Sequence, residues 1–214
     1  MEIRNISKSF SRRKILDNIS YKFENGYIYA ILGTSGSGKT TLLNILGLLD
    51  NKFDGEIIIN NKNISKKCDN YELRNQNIGF IFQSYYLIDS LNVEENIKMP
   101  LKYSKKEKKD DEYFKKIIEE LKIENLINEN VNYLSGGEKQ RIAIARAFIN
   151  KPSIIICDEP TGNLDKENSL KVLSILKQFI SKDKLIIIVT HDLFLANQCD
   201  IILELKEGKL YEKK

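Results

Sequence analysis

The chain has 214 residues, of which 42% are hydrophobic and 30% are charged, and its 34 basic against 30 acidic side chains give a net charge of +4. This composition excludes intrinsic disorder, collagen and a sustained coiled coil, and the length predicts one compact domain with room for an insertion. A sequence pI near 8.7 is only mildly basic, so it is weak evidence for a nucleic-acid or anionic-lipid partner.

Three sequence features bear on the compartment. Apolar runs such as residues 154–157 and 185–189 are much shorter than the roughly 18–20 residues that a membrane span requires. Residues 1–5 lack the apolar core and cleavage site of a signal peptide. The three cysteines, Cys68, Cys157 and Cys199, are too widely spaced for a disulfide framework or a metal site. We therefore expect a cytosolic chain with reduced thiols.

Short apolar runs bounded by turn residues predict eight strands, and several runs are unbroken, which is typical of strands buried on both faces. In chain order they are residues 1–6, 19–23, 27–32, 56–59, 78–82, 154–158, 185–190 and 201–205. Helical spacing recurs at two places between the strands. Its apolar positions are Phe114, Ile117, Ile118 and Leu121, and then Leu170, Leu173, Leu176 and Ile180 after Asp165. The alternation predicts an α/β fold.

Between Gln83 and Pro152 the strand patterns give way to helical ones. This predicts a mostly helical insertion over residues 84–150, between two stretches of one sheet-containing core, 1–83 and 151–214. Within the insertion, residues 102–116 carry seven lysines and four acids. We interpret them as a solvated loop and helix face, because the acids interrupt the basic run. A lipid-facing basic patch is the alternative.

One segment has the phosphate-loop pattern G-x-x-x-x-G-K-[ST], between the predicted strand 27–32 and a helical pattern over 41–49. Its residues are Gly33, Thr34, Ser35, Gly36, Ser37, Gly38, Lys39 and Thr40, and Thr41 continues it into the helix. Glycines let the backbone curl so that its N–H groups point at phosphate oxygens, assisted by the positive end of the helix. Lys39 is predicted to reach the β- and γ-phosphates, and Thr40 to ligate Mg²⁺.

Two carboxylates follow the apolar run 154–157, at the edge of an α/β sheet where ligands collect. Asp158 can hold Mg²⁺ there directly or through water. Glu159 is predicted to be the general base that polarises the attacking water, an effect typically worth about 10²–10⁴-fold in rate.

A second glycine-containing stretch, LSGGEKQ at residues 134–140, is followed by RIAIARA and resembles the signature of ATP-binding cassette (ABC) ATPases. Ser135 has the character of an N-cap, and Gly136 and Gly137 let the backbone approach a phosphate. The resemblance covers nearly the whole chain. It implies a P-loop NTPase core with a mixed, largely parallel sheet, an antiparallel β-subdomain and the inserted helical subdomain. Glu138, where Gln is frequent, and Cys157 depart from the pattern without removing a catalytic group.

The resemblance also implies roles for residues that carry little signal alone. Phe10 resembles the aromatic that stacks on adenine, although it could instead be a core residue. Gln83 looks like the Q-loop glutamine that senses Mg²⁺ and the γ-phosphate, and His191 looks like the switch histidine. Residues 163–165, beginning with Asn163, are similar to the D-loop that touches the opposite subunit. The implied ligands are ATP and Mg²⁺, the catalytic residues are Lys39, Gln83, Glu159 and His191, and the metal ligands are Thr40, Gln83 and Asp158.

The same resemblance implies a head-to-tail dimer that closes on ATP, because a signature across the insertion cannot serve its own phosphate loop. It also implies a separate permease subunit and a place on the cytoplasmic face of the membrane, with no nucleic-acid partner. Residues 47–50, 79–83 and 158–165 look most like the branch serving macrolide, antimicrobial-peptide and lipoprotein-release systems. Export or release of peptide, lipoprotein or drug-like cargo is therefore expected.

Three alternatives stay open at this point: an ATPase that drives a non-transporting membrane regulator, an importer subunit, and a soluble ABC ATPase that acts on nucleic acid. The permease contact is a further hypothesis. Tyr85, Tyr86 and Leu87, which follow Gln83, either form the docking surface or belong to the core of the insertion.

Overall fold

The computed structural model describes residues 1–11, 13–64, 70–104, 110–162 and 164–213, and over these residues the protein forms ten strands and seven α-helices. The strands are β1 (Glu2–Phe10), β2 (Arg13–Lys22), β3 (Ile28–Leu32), β4 (Asp54–Ile59), β5 (Lys62–Asn63), β6 (Ile78–Phe82), β7 (Ile154–Asp158), β8 (Leu185–Thr190), β9 (Ile201–Lys206) and β10 (Lys209–Lys213). The helices are α1 (Lys39–Leu46), α2 (Tyr71–Asn77), α3 (Val93–Lys102), α4 (Asp111–Leu121), α5 (Gly136–Phe148), α6 (Lys166–Phe179) and α7 (Leu193–Ala196).

The strands form two sheets. The larger has the order β10-β9-β3-β8-β7-β6, and all of its pairs are parallel except β10 with β9. The smaller, antiparallel sheet has the order β2-β1-β4-β5. The predicted α/β class, with its mixed, largely parallel sheet and antiparallel subdomain, is confirmed. The register pairs Leu32 with Thr190 and Asp158 with both Val189 and Phe82, so four carboxyl ends meet at one edge.

All eight predicted strands are present, and two further strands were not predicted. β5 and β10 expose most of their side chains, so neither contains an apolar run that a sequence pattern could detect. β1 and β2 are longer than predicted because their hairpin pairing continues to Phe10 and Arg13, beyond the apolar residues. The helix predicted over residues 41–49 ends earlier, at Leu46, because Leu48 has a left-handed φ of 57°.

The apolar positions of α4 are confirmed, whereas those of α6 were wrong in part. Ile117, Ile118 and Leu121 are buried, and Phe114 packs against them. In α6, Leu170 is 41% exposed and Ile180 follows the last helical residue. The buried side chains of α6 are Ser169, Val172, Leu173, Leu176 and Phe179. At 3.6 residues per turn, Ser169 lies on the same face of α6 as Leu173 and Leu176. The buried face therefore includes Ser169 in place of its neighbour Leu170, which the leucine spacing had suggested.

Unbroken apolar strands serve two cores, one on each face of the larger sheet. On β7, Ile155 and Cys157 point into the cluster formed with helices α3 to α6, whereas Ile154 and Ile156 join the cluster with α1 and the smaller sheet. Since successive strand side chains point to opposite faces, both parities must be apolar. The two cores clamp β7 and thereby hold Asp158 at the carboxyl edge.

Residues 84–150 contain α3, α4 and α5 together with short 3₁₀ turns at Glu124–Leu126 and Val131–Tyr133. The end of α5 packs directly on β6: a Cβ at Gly79 would lie 2.2 Å from the carbonyl oxygen of Ala147. The helices and one face of the larger sheet share a single cluster of buried side chains. The division into a core and an insertion at residues 84 and 150 therefore stays a prediction.

Burial raises the pKa of the Cys157 thiol, and it raises the pKa of Cys199 to about 12, so neither is a reactive thiolate near neutral pH. Cys68 and residues 105–109 of the lysine-rich segment lie outside the described residues, so neither interpretation of that segment is tested. In the described ranges, no helix combines the length and the apolar character needed to cross a membrane.

Candidate active site

The predicted phosphate loop connects β3 to α1 and curls back on itself. Gly36 and Gly38 have φ values of 76° and 100°, which glycine adopts at little steric cost. A Cβ at Gly33 would lie 2.4 Å from Ser37 Oγ and 2.9 Å from a carbonyl oxygen of β9, so the loop closes tightly over this position. Lys39 Nζ donates to the carbonyl oxygen of Gly33 at 2.8 Å, and its ammonium group therefore lies over the loop.

The first turn of α1 leaves its backbone donors available. In the described chain, no side chain caps this helix at Gly38, and its first turn holds no acidic residue. Ser37 Oγ is buried and has no hydrogen-bond partner among the described residues. An anion at this helix end would receive free N–H groups, an orphaned hydroxyl and the positive end of the helix dipole. The loop therefore fits a phosphate group.

The carboxyl ends of β7 and β8 supply the acidic side of the site. The Glu159 N–H donates to the carbonyl oxygen of Val189 at 2.9 Å, and Glu159 itself has a left-handed φ of 47°. Its Oε2 accepts a hydrogen bond from Thr190 Oγ1 at 3.2 Å, and its Oε1 lies 2.8 Å from His191 Nδ1. Strained backbone held in place by its surroundings is common at functional sites. The Glu159 carboxylate is therefore oriented at both oxygens.

The electrostatics of this edge favour a bound cation. Burial raises the pKa of Asp158, the neighbouring Glu159 carboxylate raises it further, and the Lys39 ammonium opposes both effects. Two adjacent carboxylates thus share one nearby ammonium group. Thr40 and Asp158 offer a hydroxyl and a carboxylate oxygen to the same cleft, and such hard oxygen donors suit Mg²⁺.

Most of the predicted site residues line one cleft of about 440 Å³, whose floor is the phosphate loop and whose wall is the carboxylate edge. Its lining consists of Phe10, Ile15, Ser35, Gly36, Gly38, Lys39, Thr40, Thr41, Asp158 and Glu159. Phe10 is 53% exposed, which excludes the core interpretation, and Lys8 Nζ lies over its ring at 5.1 Å from the centroid. Ile15 was not predicted, because a lone aliphatic residue in a strand carries no sequence signal. A Cβ at Gly38 would lie 2.8 Å from Ile15 Cγ2, so these residues are in close contact.

Four predicted residues lie next to the cleft lining. Thr34 and Ser37 face an adjoining cleft toward the β9–β10 turn, and Gly33 lies beneath the loop. Gln83 follows β6 and lies against the turn after Glu159, since a Cβ at Gly162 would be 2.6 Å from Gln83 Nε2. Thr190, which bonds Glu159, was also missed, although its position beside His191 at the end of an apolar run was a usable signal.

The signature residues stand apart from the cleft. Among the described residues, those lining the cleft do not include Ser135, Gly136 or Gly137. Ser135 and Gly136 are exposed, and Ser135 forms a reciprocal capping box with Glu138 at the start of α5. Of the D-loop positions, Asn163 lies outside the described residues, and Asp165 caps α6 by accepting from the Asn168 N–H at 2.8 Å. One chain therefore does not bring its signature to its own phosphate loop.

Comparison with known proteins identifies the family. Residues 16–162 match the family described as ABC transporter. The chain is 41% identical over 223 residues to the lipoprotein-releasing system ATP-binding protein LolD of Wigglesworthia glossinidia brevipalpis, a match that covers 100% of this chain and 96% of that protein. It is 41% identical over 219 residues to the bacitracin export ATP-binding protein BceA of Halalkalibacterium halodurans, covering 99% and 87%. These relatives belong to the branches that the sequence resembled.

Solved structures agree with this assignment. The dimeric structure of MJ0796, a bacterial ABC transporter cassette, has a TM-score of 0.87 at 36% identity and covers 100% of this chain and 97% of that chain. A dimeric post-hydrolysis state of the same cassette, bound to ADP and Pi, has a TM-score of 0.85 with the same identity and coverage. Sequence, fold and site geometry together place this chain in the ABC transporter family, as an ATP-binding subunit with ATPase activity.

Proposed function

We propose that this chain is the ATPase of a membrane export or release system, that it closes as a head-to-tail homodimer on ATP, and that it drives a separate permease. One observation carries the proposal: the phosphate loop and the carboxylates share one cleft, whereas the exposed signature lies elsewhere on the same chain. Two copies facing each other head to tail would give each cleft the signature of its partner. The related MJ0796 cassette is dimeric in both solved structures.

ATP binding in this cleft would use the two ends of the nucleotide differently. The loop N–H groups and Lys39 would hold the phosphates by charge-assisted hydrogen bonds. The exposed Phe10 ring would stack on the base and contribute dispersion without a hydrogen bond. Phosphate recognition therefore rests on backbone geometry and charge, and base recognition on one ring.

The metal ligands that we propose are Thr40, Asp158 and Gln83, of which the first two line the cleft. Mg²⁺ held there would neutralise charge on the β- and γ-phosphate oxygens. The contact between Gln83 and the turn at Gly162 places the glutamine beside the backbone that follows Glu159. Gln83 could thereby transmit the state of the site to the helices after β6.

Hydrolysis would depend on the orientation of Glu159. His191 and Thr190 each hold one of its carboxylate oxygens, so the side chain is fixed before a substrate arrives. As the general base, Glu159 would orient the attacking water and accept its proton. The exposed His191, whose Nδ1 lies 2.8 Å from Glu159 Oε1, would contact the γ-phosphate. Glu159 would thus accept the proton, and His191 would contact the phosphate.

A groove on the other side of Gln83 is the proposed permease contact. It lies between α2, β6, α3 and α5, has a volume of about 360 Å³, and is lined by Tyr71, Arg74, Asn75, Ile78, Gly79, Phe80, Phe82, Tyr86, Met99, Pro100, Tyr103, Arg146, Ala147 and Asn150. Tyr86 is 65% exposed and lines this groove, whereas Leu87 packs against the buried cluster. Of Tyr85, Tyr86 and Leu87, Tyr86 therefore supports docking best. By this contact the permease would hold the subunit at the cytoplasmic face of the membrane.

The test is affinity purification of Glu159→Gln protein from its native membranes with ATP and Mg²⁺, followed by mass spectrometry. We expect a polytopic membrane protein, and we expect Tyr86→Ala to reduce its recovery. Lys39→Ala is the matched control, because it should not form the closed dimer. A permease with a large extracytoplasmic domain would support export or release, and a solute-binding protein beside it would indicate import. Recovery of only soluble proteins or nucleic acid would show the proposal to be wrong.

A further inference from the structure

Arg146 is a half-buried cation whose contacts the proposed mechanism does not use. It lies on α5, eleven positions after the signature serine, and lines the groove beside Phe82 and Tyr86. Its guanidinium donates to two backbone carbonyl oxygens, those of Tyr85 and Tyr86. Burial lowers the pKa of Arg146 to about 10, and within the described part of the chain no carboxylate pairs with it. The Arg146 guanidinium therefore interacts with two carbonyl oxygens.

The segment that Arg146 holds is strained. Tyr85 and Tyr86 have φ values of 59° and 46°, two consecutive left-handed residues that are not glycine. Left-handed backbone costs energy for residues that carry a Cβ, so the surroundings must stabilise it. The turn begins where the Tyr85 N–H donates to the Phe82 carbonyl at 3.0 Å, and Gln83 lies inside it. The conformation of the turn therefore decides where Gln83 points.

The same turn contacts both ends of α5. The Tyr85 hydroxyl would be 3.4 Å from a Cβ at Gly136, in the signature, while its carbonyl oxygen accepts from Arg146 near the other end of the helix. Ten residues of helix separate these two points, or about 15 Å. The turn thus lies along α5, between the signature and the groove.

We propose that Arg146 is a positioning residue for ATP hydrolysis, which holds the strained turn at residues 82–86 against α5 and so aims Gln83 at the active site. The proposal rests on the role proposed above for Gln83. It predicts that the turn, the signature helix and the docking groove keep one fixed arrangement as long as both carbonyl contacts are made. Lysine is not equivalent to arginine here, because Arg146 holds each carbonyl oxygen with a different nitrogen of its rigid planar guanidinium, whereas lysine has one nitrogen on a flexible chain.

The experiment compares Arg146→Lys with wild type in steady-state ATPase assays of the full chain. We expect kcat to fall about tenfold, with KM and the Kd of a fluorescent ATP analogue changing by less than about twofold, because the residue acts through Gln83 and not on the nucleotide. Arg4→Lys is the matched control, because Arg4 is an exposed arginine on β1 that pairs with Glu2 and lines neither the cleft nor the groove. It should keep the wild-type kcat.

Two further variants separate positioning from general support of the fold. If Arg146 acts through Gln83, the double variant Arg146→Lys/Gln83→Ala should be no slower than Gln83→Ala alone. Tyr86→Asn should restore part of the kcat lost in Arg146→Lys, since asparagine accepts left-handed backbone more readily than tyrosine. Both results, with an unchanged Tm, support the inference.

Three outcomes would overturn the inference. Wild-type kcat in Arg146→Lys would show that the clamp is not needed. A lower Tm, with additive effects in the double variant and no gain from Tyr86→Asn, would show a structural role only. Wild-type kcat in Gln83→Ala would contradict the proposed role of Gln83, and the inference about Arg146 would fail with it. This result is distinguishable from a failure of the inference alone, because it is measured in the single variant Gln83→Ala.

Discussion

The phosphate loop and the signature are both serine- and glycine-containing turns that lead into a helix, yet the two helix starts are built oppositely. At α1 the cap is Gly38, without a side-chain hydrogen bond and without an acid in the first turn. At α5, Ser135 accepts from the Glu138 N–H, and the Glu138 carboxylate accepts from the Ser135 N–H at 2.8 Å. One helix end is left open, and the other is closed by its own residues.

The difference shows which turn can bind phosphate without help. Open N–H groups and a left-handed glycine at α1 form an anion site within one chain. At α5 the Ser135 hydroxyl also donates to Glu138 Oε2 at 2.6 Å, so Ser135 and Glu138 satisfy each other at this helix start. This agrees with the proposal that the signature acts only against a partner subunit.

The broadest effect should come from Lys39→Ala, which removes the cation over the open turn and so weakens both ATP binding and turnover. We expect ATPase activity to fall about 10²-fold or more, because the ammonium is the charge aimed at the phosphates. Measurement of kcat and of ATP affinity checks this. Lys62→Ala, on the exposed strand β5, is the control and should behave as wild type. Normal turnover by the Lys39 variant would contradict the placement of ATP in this cleft.

Glu159→Gln should leave the open turn intact and stop the chemistry. Activity should fall by about 10²–10⁴-fold, the usual contribution of a general base, while ATP binding persists. The closed dimer should then accumulate and be visible by light scattering after gel filtration. Glu167→Gln, on the exposed start of α6, serves as the control. Rapid hydrolysis by Glu159→Gln would sink the assignment of the base.

Gly38→Ala and Gly136→Ala compare the two turns directly. At Gly38 an alanine meets left-handed backbone and Ile15, so we expect about 1–3 kcal/mol of strain and a loss of ATP binding. At Gly136 the nearest atom is a tyrosine hydroxyl 3.4 Å away, and the position is helical, so Tm and ATP binding by one subunit should hold. Only ATPase activity, which needs the signature, should fall. Equal losses of ATP binding in Gly38→Ala and Gly136→Ala would show that the two turns do not differ in phosphate binding within one chain.

The smallest effect should follow from Glu138→Ala, which opens the closed turn. Loss of the capping box should cost about 0.5–1 kcal/mol of folding stability. Hydrogen bonds from Ser135 lower the pKa of Glu138, so its contribution is present above the unfolded-state pKa and is lost as pH falls through the folded-state pKa. The difference in Tm between wild type and variant should therefore shrink between pH 7 and pH 3. A difference that stays constant over this range would show that the carboxylate does not close the turn.

Much of the site could be predicted because its residues are contiguous. Gly33 to Thr40 form an unbroken motif, and Asp158 and Glu159 follow one apolar run, so local spacing already groups them. Gln83, His191 and Phe10 are single residues, and only resemblance to a family assigned them. Ile15 was found by neither route, because it contributes through a contact made across the chain. Thr190 was missed although it stands beside His191 at the end of an apolar run.

The fold shows the same division. Strands buried on both faces, such as β3, β7 and β8, form unbroken apolar runs that a sequence pattern detects. The other five predicted strands were found from shorter apolar runs. The exposed strands β5 and β10 were not, because their stability comes from backbone pairing with β4 and β9 and not from apolar side chains. The face of α6 was misjudged because Ser169 is buried and Leu170 is exposed, an exchange that depends on the neighbouring surface.

By itself the sequence determined the local chemistry of this protein: where glycines permit left-handed backbone, where carboxylates end a buried strand, and which helix starts can cap themselves. These are decided by a few neighbouring residues and their covalent geometry. Tertiary structure alone decided that the signature lies apart from its own cleft, and that Arg146 holds the strained turn beside Gln83. These arrangements join residues that are distant in the chain. Their contacts therefore contribute to stability only after the two cores have packed and excluded water.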